Sequence, residues 1–172
     1  ILLIAPAYRP QTAPYSLGTV KAIVKTARVL RKYDSYAIGK SDWVPMSPDL
    51  TGTIPCSANP TRMNVYDAVF IRHPEVRVGA ATNRWLDQFI GSGDIITKPS
   101  YAKNVTIPVS MVLADHDTIV KTEAAQKVCT ELENCVSVTV PDTGHCLVFE
   151  NDPALTQIYR ATKEVYPKMS RP

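Results

Sequence analysis

Residues 107–120 read Ile-Pro-Val-Ser-Met-Val-Leu-Ala-Asp-His-Asp-Thr-Ile-Val, and residues 136–145 read Val-Ser-Val-Thr-Val-Pro-Asp-Thr-Gly-His. Pro108 to Leu113 is a short apolar run with β-forming residues, and Val136 to Val140 is rich in β-branched side chains. Between them, Thr122 to Glu133 places Ala125, Val128, Cys129 and Leu132 on one helical face. Strand, helix and strand with a crossover of this length predict a βαβ unit, its two strands parallel, neighbouring and joined right-handedly. Loops that follow parallel strands leave the sheet at the same edge, where α/β proteins place their sites. Two loops of interest follow these strands, 114–120 with Asp115, His116 and Asp117, and 141–145 with Asp142 and His145.

Neighbouring strands lie ~4.8 Å apart, so a carboxylate of the first loop can reach an imidazole of the second. A carboxylate on one ring nitrogen fixes the tautomer and stabilises the imidazolium, which the His of a nucleophilic triad requires. Taken singly, an Asp-rich loop and a Gly-His turn are ordinary solvated turns; their joint placement favours an acid and base pair between a carboxylate of the first loop and His145. Asp117 lies farther from the strand end than Asp115 and has more freedom to turn toward His145, so Asp115 is expected to be a turn residue. Metal chelation by Asp115, His116 and Asp117 ranks below this, because three ligands on one loop have no distant partner. His73, just before Pro74, is expected to interact with a helix C-terminus or lie on the surface.

Working outward, Ile1 to Ala5 is an apolar run ended by Pro6, of a length that fits a buried strand, although periodicity alone does not separate it from a helix fragment. Val20, Ile23, Val24, Ala27 and Leu30 recur at helical spacing between Thr19 and Tyr33, with Lys21, Lys25 and Arg28 between them. Residues 34–58, with Pro45, Pro48 and Pro55, are expected to form a loop. Asn59-Pro60 predicts an N-cap and first helical residue for a helix to Arg72, stopped by His73-Pro74. A short helix is expected from Thr82 to Ile90, with Ala81, Trp85 and Phe89 on one face, broken by Gly91-Ser92-Gly93. Asp152-Pro153 predicts the cap of a last helix carrying Leu155, Ile158, Tyr159, Thr162 and Val165 to near Tyr166.

Composition narrows the function classes. The 172 residues are 45% hydrophobic and 20% charged, with 19 Lys+Arg against 16 Asp+Glu, ordinary values for a single folded domain. Basic residues never run beyond Arg31-Lys32, so nucleic acid is not an expected partner. The longest apolar stretch, Ile1 to Ala7, is far below the ~20 residues of a membrane helix. Fourteen Pro against seven Gly, with most Pro before residue 110, predict an irregular first part. Cys129 and Cys135, six apart, are expected to form a disulfide rather than two buried thiols, implying an oxidising compartment; Cys56 and Cys146 are expected to stay unpaired.

The runs Ile107–Val120 and Pro141–Asp152 resemble the C-terminal part of α/β-hydrolase-fold serine hydrolases and are most similar to the lysophospholipase L2 and monoacylglycerol lipase group. Pro60-Thr61-Arg62-Met63, His73 to Gly79 and Thr82 to Leu86 look like the cap region of lysophospholipase L2 relatives. Ala114 stands where the family often has Gly, and Cys146 where lysophospholipase relatives often carry Glu.

The resemblance implies an α/β fold in which residues 1–7 form a core strand, 8–106 a largely helical, Pro-rich cap, and 107–172 the C-terminal part of the core. Asp117 matches the triad acid and His145 the triad base, with no cofactor. The family nucleophile sits in Gly-x-Ser-x-Gly on a strand-to-helix turn. Gly91-Ser92-Gly93 has neither that spacing nor that setting, and the chain order Ser, Asp, His puts the Ser upstream of Ile1. The expected partner is therefore an N-terminal segment of the same enzyme, and the expected activity is hydrolysis of lipid-like esters, with residues 1–172 inactive alone. Alternatives are a noncatalytic lipid-binding module and another enzyme of the fold, such as an epoxide hydrolase or haloalkane hydrolase with an Asp nucleophile. Secreted or periplasmic location is expected, with cytoplasmic location or a peripheral membrane contact through the cap as the alternative.

Overall fold

A computed structural model of the chain describes residues 1–45 and 56–169, with side chains as far as residue 163. Three parallel strands, β1 (Leu2–Ile4), β2 (Val109–Ala114) and β3 (Cys135–Val140), form a sheet in that order. Leu2 pairs with Ser110 and Ile4 with Val112; Val109 pairs with Cys135 and Ala114 with Val140. The six residues of β2 are all buried because the central strand is covered on both faces. Side chains alternate across a strand, so Val112 and Ala114 pack with Val140, Leu147, Ala154, Ile158 and Ala161 on one face. Val109, Met111 and Leu113 pack with Ala125, Val128 and Cys129 on the other.

The helices are α1 (Leu17–Val29), α2 (Pro60–Arg72), α3 (Asn83–Ile96), α4 (Pro99–Ala102), α5 (Thr122–Glu131) and α6 (Asp152–Met169). As expected, α2 opens with Asn59 accepting from the Arg62 N–H and Pro60 in its first turn, and His73 is its exposed C-cap. The strand expected over Ile1 to Ala5 is β1, at the sheet edge, with Ile1 and Ile4 exposed. Residues 46–55 of the expected loop, and the Val165 side chain, lie outside the described residues.

Other boundaries differ for physical reasons. Helix α1 starts at Leu17 because the Ser16 hydroxyl accepts from the Thr19 N–H, and it ends four residues before Tyr33. Arg31 takes a left-handed φ of 57°, so Leu30, expected on the buried face, is exposed. Helix α3 runs through Gly91-Ser92-Gly93 instead of stopping there. At Gly93 the glycine serves a close approach: a Cβ there would sit 2.2 Å from the Tyr8 carbonyl oxygen. One residue on, Asp94 holds Arg9 at 2.5 Å and Lys21 at 2.6 Å, joining α3 to the 8–12 segment and to α1. Tertiary contacts thus outweigh the helix cost of about 1 kcal/mol per glycine. Tyr159 on α6 is also exposed, with Ala154, Ile158 and Ala161 making the contact with the sheet instead.

The two helical glycines make a matched pair. Gly93→Ala should destabilise the protein by about 1–3 kcal/mol, because the backbone of Tyr8 must move. Gly91→Ala, where a Cβ meets nothing within 4 Å, should stabilise it by about 0.5–1 kcal/mol. Denaturant midpoints of the two variants should shift in opposite directions; shifts of the same sign would contradict this packing.

Candidate active site

The parallel pairing of β2 and β3 sends their following loops out of the same edge, and Asp115 stitches these loops together. Its Oδ2 accepts from the Asp142 N–H at 2.9 Å and its Oδ1 from the Thr143 N–H at 3.0 Å. The Thr143 carbonyl in turn accepts from the His116 N–H at 3.1 Å. Asp115 is thus a turn residue, as expected, but one that holds the opposite loop. Burial pushes its carboxyl up; the Thr143 and Asp142 N–H groups and His116 pull it further down, below the ordinary carboxylate value.

Asp117 is buried and turns back on its own loop, its Oδ1 accepting from the Ile119 N–H at 2.9 Å and the Val120 N–H at 2.8 Å. Its Oδ2 lies 2.8 Å from Nδ1 of His145. Burial raises the Asp117 pKa, but the His145 hydrogen bond and the two backbone donors outweigh it, so the carboxyl titrates below its ordinary value. An ionised carboxylate only accepts hydrogen bonds, so Nδ1 of His145 carries the proton and donates it. In the neutral ring Nε2 is then the free base, and it has no hydrogen-bond partner among the described residues. The His145 side chain is 24% exposed against 2% for Asp117, so the carboxylate is enclosed and the imidazole opens outward.

His116, Asp115 and Asp142 are exposed, with ligand-type atoms within 4.8 Å of one another. Asp117, placed with His116 and Asp115 in the metal alternative, belongs instead to the His145 pair. His73 bonds Glu75 through Nδ1 at 3.1 Å.

The expectation that Cys56 and Cys146 stay unpaired is overturned. They form a disulfide with Cα atoms 5.2 Å apart across 90 residues of sequence, and Cys129 and Cys135 form the expected one. Spacing in sequence exposes only the local pair; the long-range pair arises because residues 56–62 are laid against 144–152. The Cys56 carbonyl accepts from the Cys146 N–H at 2.8 Å, and the Ser57 hydroxyl donates to the Phe149 carbonyl at 2.9 Å. Arg62 bonds the Glu150 carbonyl and Asp152. Glu150, buried and not singled out by the sequence, accepts from the Ala58 N–H at 3.0 Å and the Gly144 N–H at 2.8 Å. Four cysteines, one beside His145, were the one available signal for this arrangement.

Beside Asp117, Thr118 and Ile119 border a cleft of about 560 Å³ between α1, α3 and residues 10–15. Its walls include Val20, Ile23, Trp85, Leu86 and Phe89. Trp85 and Phe89, expected together on one helical face, line this opening, their ring centroids 5.1 Å apart. No helix of the described residues is long and apolar enough to cross a membrane.

No protein-family model and no curated protein sequence matches the chain. Solved structures do. The chain superposes on a monoacylglycerol lipase from Paleococcus ferrophilus with a TM-score of 0.61 and 15% identity, covering 97% of this chain and 58% of that one. A soluble variant of monoglyceride lipase from Saccharomyces cerevisiae, solved with a substrate analogue, gives a TM-score of 0.65, 14% identity, and 97% and 55% coverage. A thermostable carboxyl esterase from Bacillus coagulans, solved with glycerol, gives 0.56, 13%, and 96% and 54%. The chain therefore spans somewhat more than half the length of the structures it matches. A parallel sheet whose central strand is covered on both faces, loops bearing Asp117 and His145 at one edge, and this likeness together identify the fold as that of the α/β-hydrolases.

Proposed function

We propose that this chain carries the acid and base of a serine carboxylic ester hydrolase acting on lipid-like esters, of lysophospholipase or monoacylglycerol lipase type. The observation that carries this is the 2.8 Å contact between Asp117 Oδ2 and His145 Nδ1, with Nε2 presented outward. The nucleophile is a Ser in a Gly-x-Ser-x-Gly turn on a segment of the same enzyme preceding residue 1, adjoining the exposed edge of β1. In acylation, Nε2 of His145 takes the proton of that Ser hydroxyl as its oxygen attacks the ester carbonyl. Asp117 stabilises the resulting imidazolium. The proton then passes to the leaving alcohol, and water repeats the sequence on the acyl-enzyme. Residues 8–106 act as the cap, and the apolar cleft beside Ile119, of a volume typical for small-molecule sites, favours an acyl chain. Two disulfides support an oxidising, secreted or periplasmic setting.

A fluorophosphonate probe should label the full-length protein covalently on a Ser upstream of residue 1 and leave residues 1–172 alone unlabelled and inactive, since nucleophile and oxyanion donors are then both missing. Absence of labelling in a folded full-length protein would favour a noncatalytic lipid-binding module or an Asp-nucleophile enzyme.

Asp117→Asn should lower kcat of the full-length enzyme by roughly 10⁴-fold through loss of tautomer control, with folding retained. Asp115→Asn should instead act mainly on stability. A larger kcat loss for Asp115→Asn would reverse the assignment. The variant also has a pH signature. Because the folded-state pKa of Asp117 is depressed, its stabilising contribution is complete above the unfolded value of about 4 and is lost as pH falls through the folded value. Thermal melts below about pH 4 should therefore show a shallower acid loss in Asp117→Asn than in wild type.

A further inference from the structure

We propose that Glu150 is a positioning residue for His145, acting through the Gly144 amide, with the Cys56–Cys146 disulfide as its counterpart on the other side of the histidine. The inference rests on the reading of His145 as the general base. Glu150 is 1% exposed, and a carboxylate so deeply buried is expensive unless its oxygens are satisfied. Its partners are backbone N–H groups: Oε1 accepts from Gly144 at 2.8 Å and from Ala58 at 3.0 Å, and Oε2 from Ala58 at 3.1 Å. One carboxylate thus joins the residue before His145 to a segment 86 positions upstream of it in sequence.

The residue after His145 is tied to the same segment. Cys146 donates its N–H to the Cys56 carbonyl at 2.8 Å, and its sulfur is bonded to that of Cys56. Gly144 makes this approach possible, because a Cβ there would sit 2.4 Å from the Cys56 carbonyl oxygen. Residues 56–58 therefore grip both backbone neighbours of His145, while Asp117 holds its ring. Without the Glu150 acceptor, the N–H groups of Gly144 and Ala58 lose their partner, and the turn carrying His145 is free to relax away from Asp117. Misplacement of a catalytic group on the scale of 1 Å is enough to slow turnover by about 10²-fold.

The experiment compares Glu150→Ala, Glu150→Gln and Glu150→Asp in the full-length enzyme, following kcat, KM and the solvent exchange of the His145 Nδ1 proton by NMR. Glu150→Ala should lose roughly 10- to 100-fold in kcat with KM within about twofold, and its Nδ1 proton should exchange faster. Glu150→Gln, which keeps an acceptor oxygen at the same reach, should recover most of the loss. Should Glu150→Ala fail to fold, Glu150→Asp decides: one methylene shorter, it cannot serve Gly144 and Ala58 together, and kcat should fall by roughly tenfold with faster exchange. Wild-type kcat and exchange in folded Ala or Asp variants would overturn the proposal. So would a Gln variant as impaired as Ala, which would assign the effect to the charge. If the wild-type enzyme fails to react with a fluorophosphonate, the hydrolase reading fails, while proton exchange still reports whether Glu150 positions the ring.

Discussion

The in-register parallel pairing of Val109–Ala114 with Cys135–Val140 is the constraint on which the site depends. Parallel strands end together, so the loops carrying Asp117 and His145 leave from adjacent positions. The distance between the two groups then follows from strand spacing and the geometry of the two loops, although they lie 28 positions apart in sequence. Burial of β2 on both faces holds this pairing, since a one-residue shift would force every side chain of the strand to repack against a different layer. Asp115 completes the arrangement by bonding two backbone N–H groups of the opposite loop. The two acidic residues of one short loop thereby divide the work: Asp115 holds backbone to backbone, and Asp117 holds a ring.

A second constraint comes from far away in sequence. Residues 56–62 lie along 144–152 through a disulfide, the Glu150 carboxylate, Ser57, and Asn59 bonded to Asn151 at 2.9 Å. Tyr66 of α2 packs on Phe149 with ring centroids 5.2 Å apart. In the chain-entropy model a cross-link over 90 residues restricts the unfolded chain by about 4–5 kcal/mol, against about 2 kcal/mol for the six-residue link of Cys129 to Cys135. The long-range bridge therefore dominates covalent stabilisation, and it does so beside His145.

What was legible in the sequence was whatever local pattern encodes. The alternating and continuous apolar runs of β2 and β3, the Asn59-Pro60 cap and the emergence of the Asp115–Asp117 and His145 loops at one edge follow from spacing along a few residues, while the choice of Asp117 over Asp115 rests also on the family resemblance. What was hidden depended on contacts between distant segments. Gly93 looks like a helix breaker until Tyr8 is found against it, and Leu30 looks buried until Arg31 reverses the chain. Trp85 and Phe89 fit a helical face, but nothing in periodicity says whether that face meets a core or an open cleft. Cys56 and Glu150 carry no spacing signal at all, because their partners are set by how residues 56–62 dock.

The central claim is that an ionised, buried Asp117 fixes the protonation of His145 on Nδ1 and leaves Nε2 as the free base. Long-range ¹H–¹⁵N correlation of the histidine rings in the folded full-length protein, above the ring's titration, reads this tautomer directly. The account predicts a His145 ring protonated on Nδ1 in a single tautomer. A His145 ring protonated on Nε2, or averaged between the two tautomers, would contradict it.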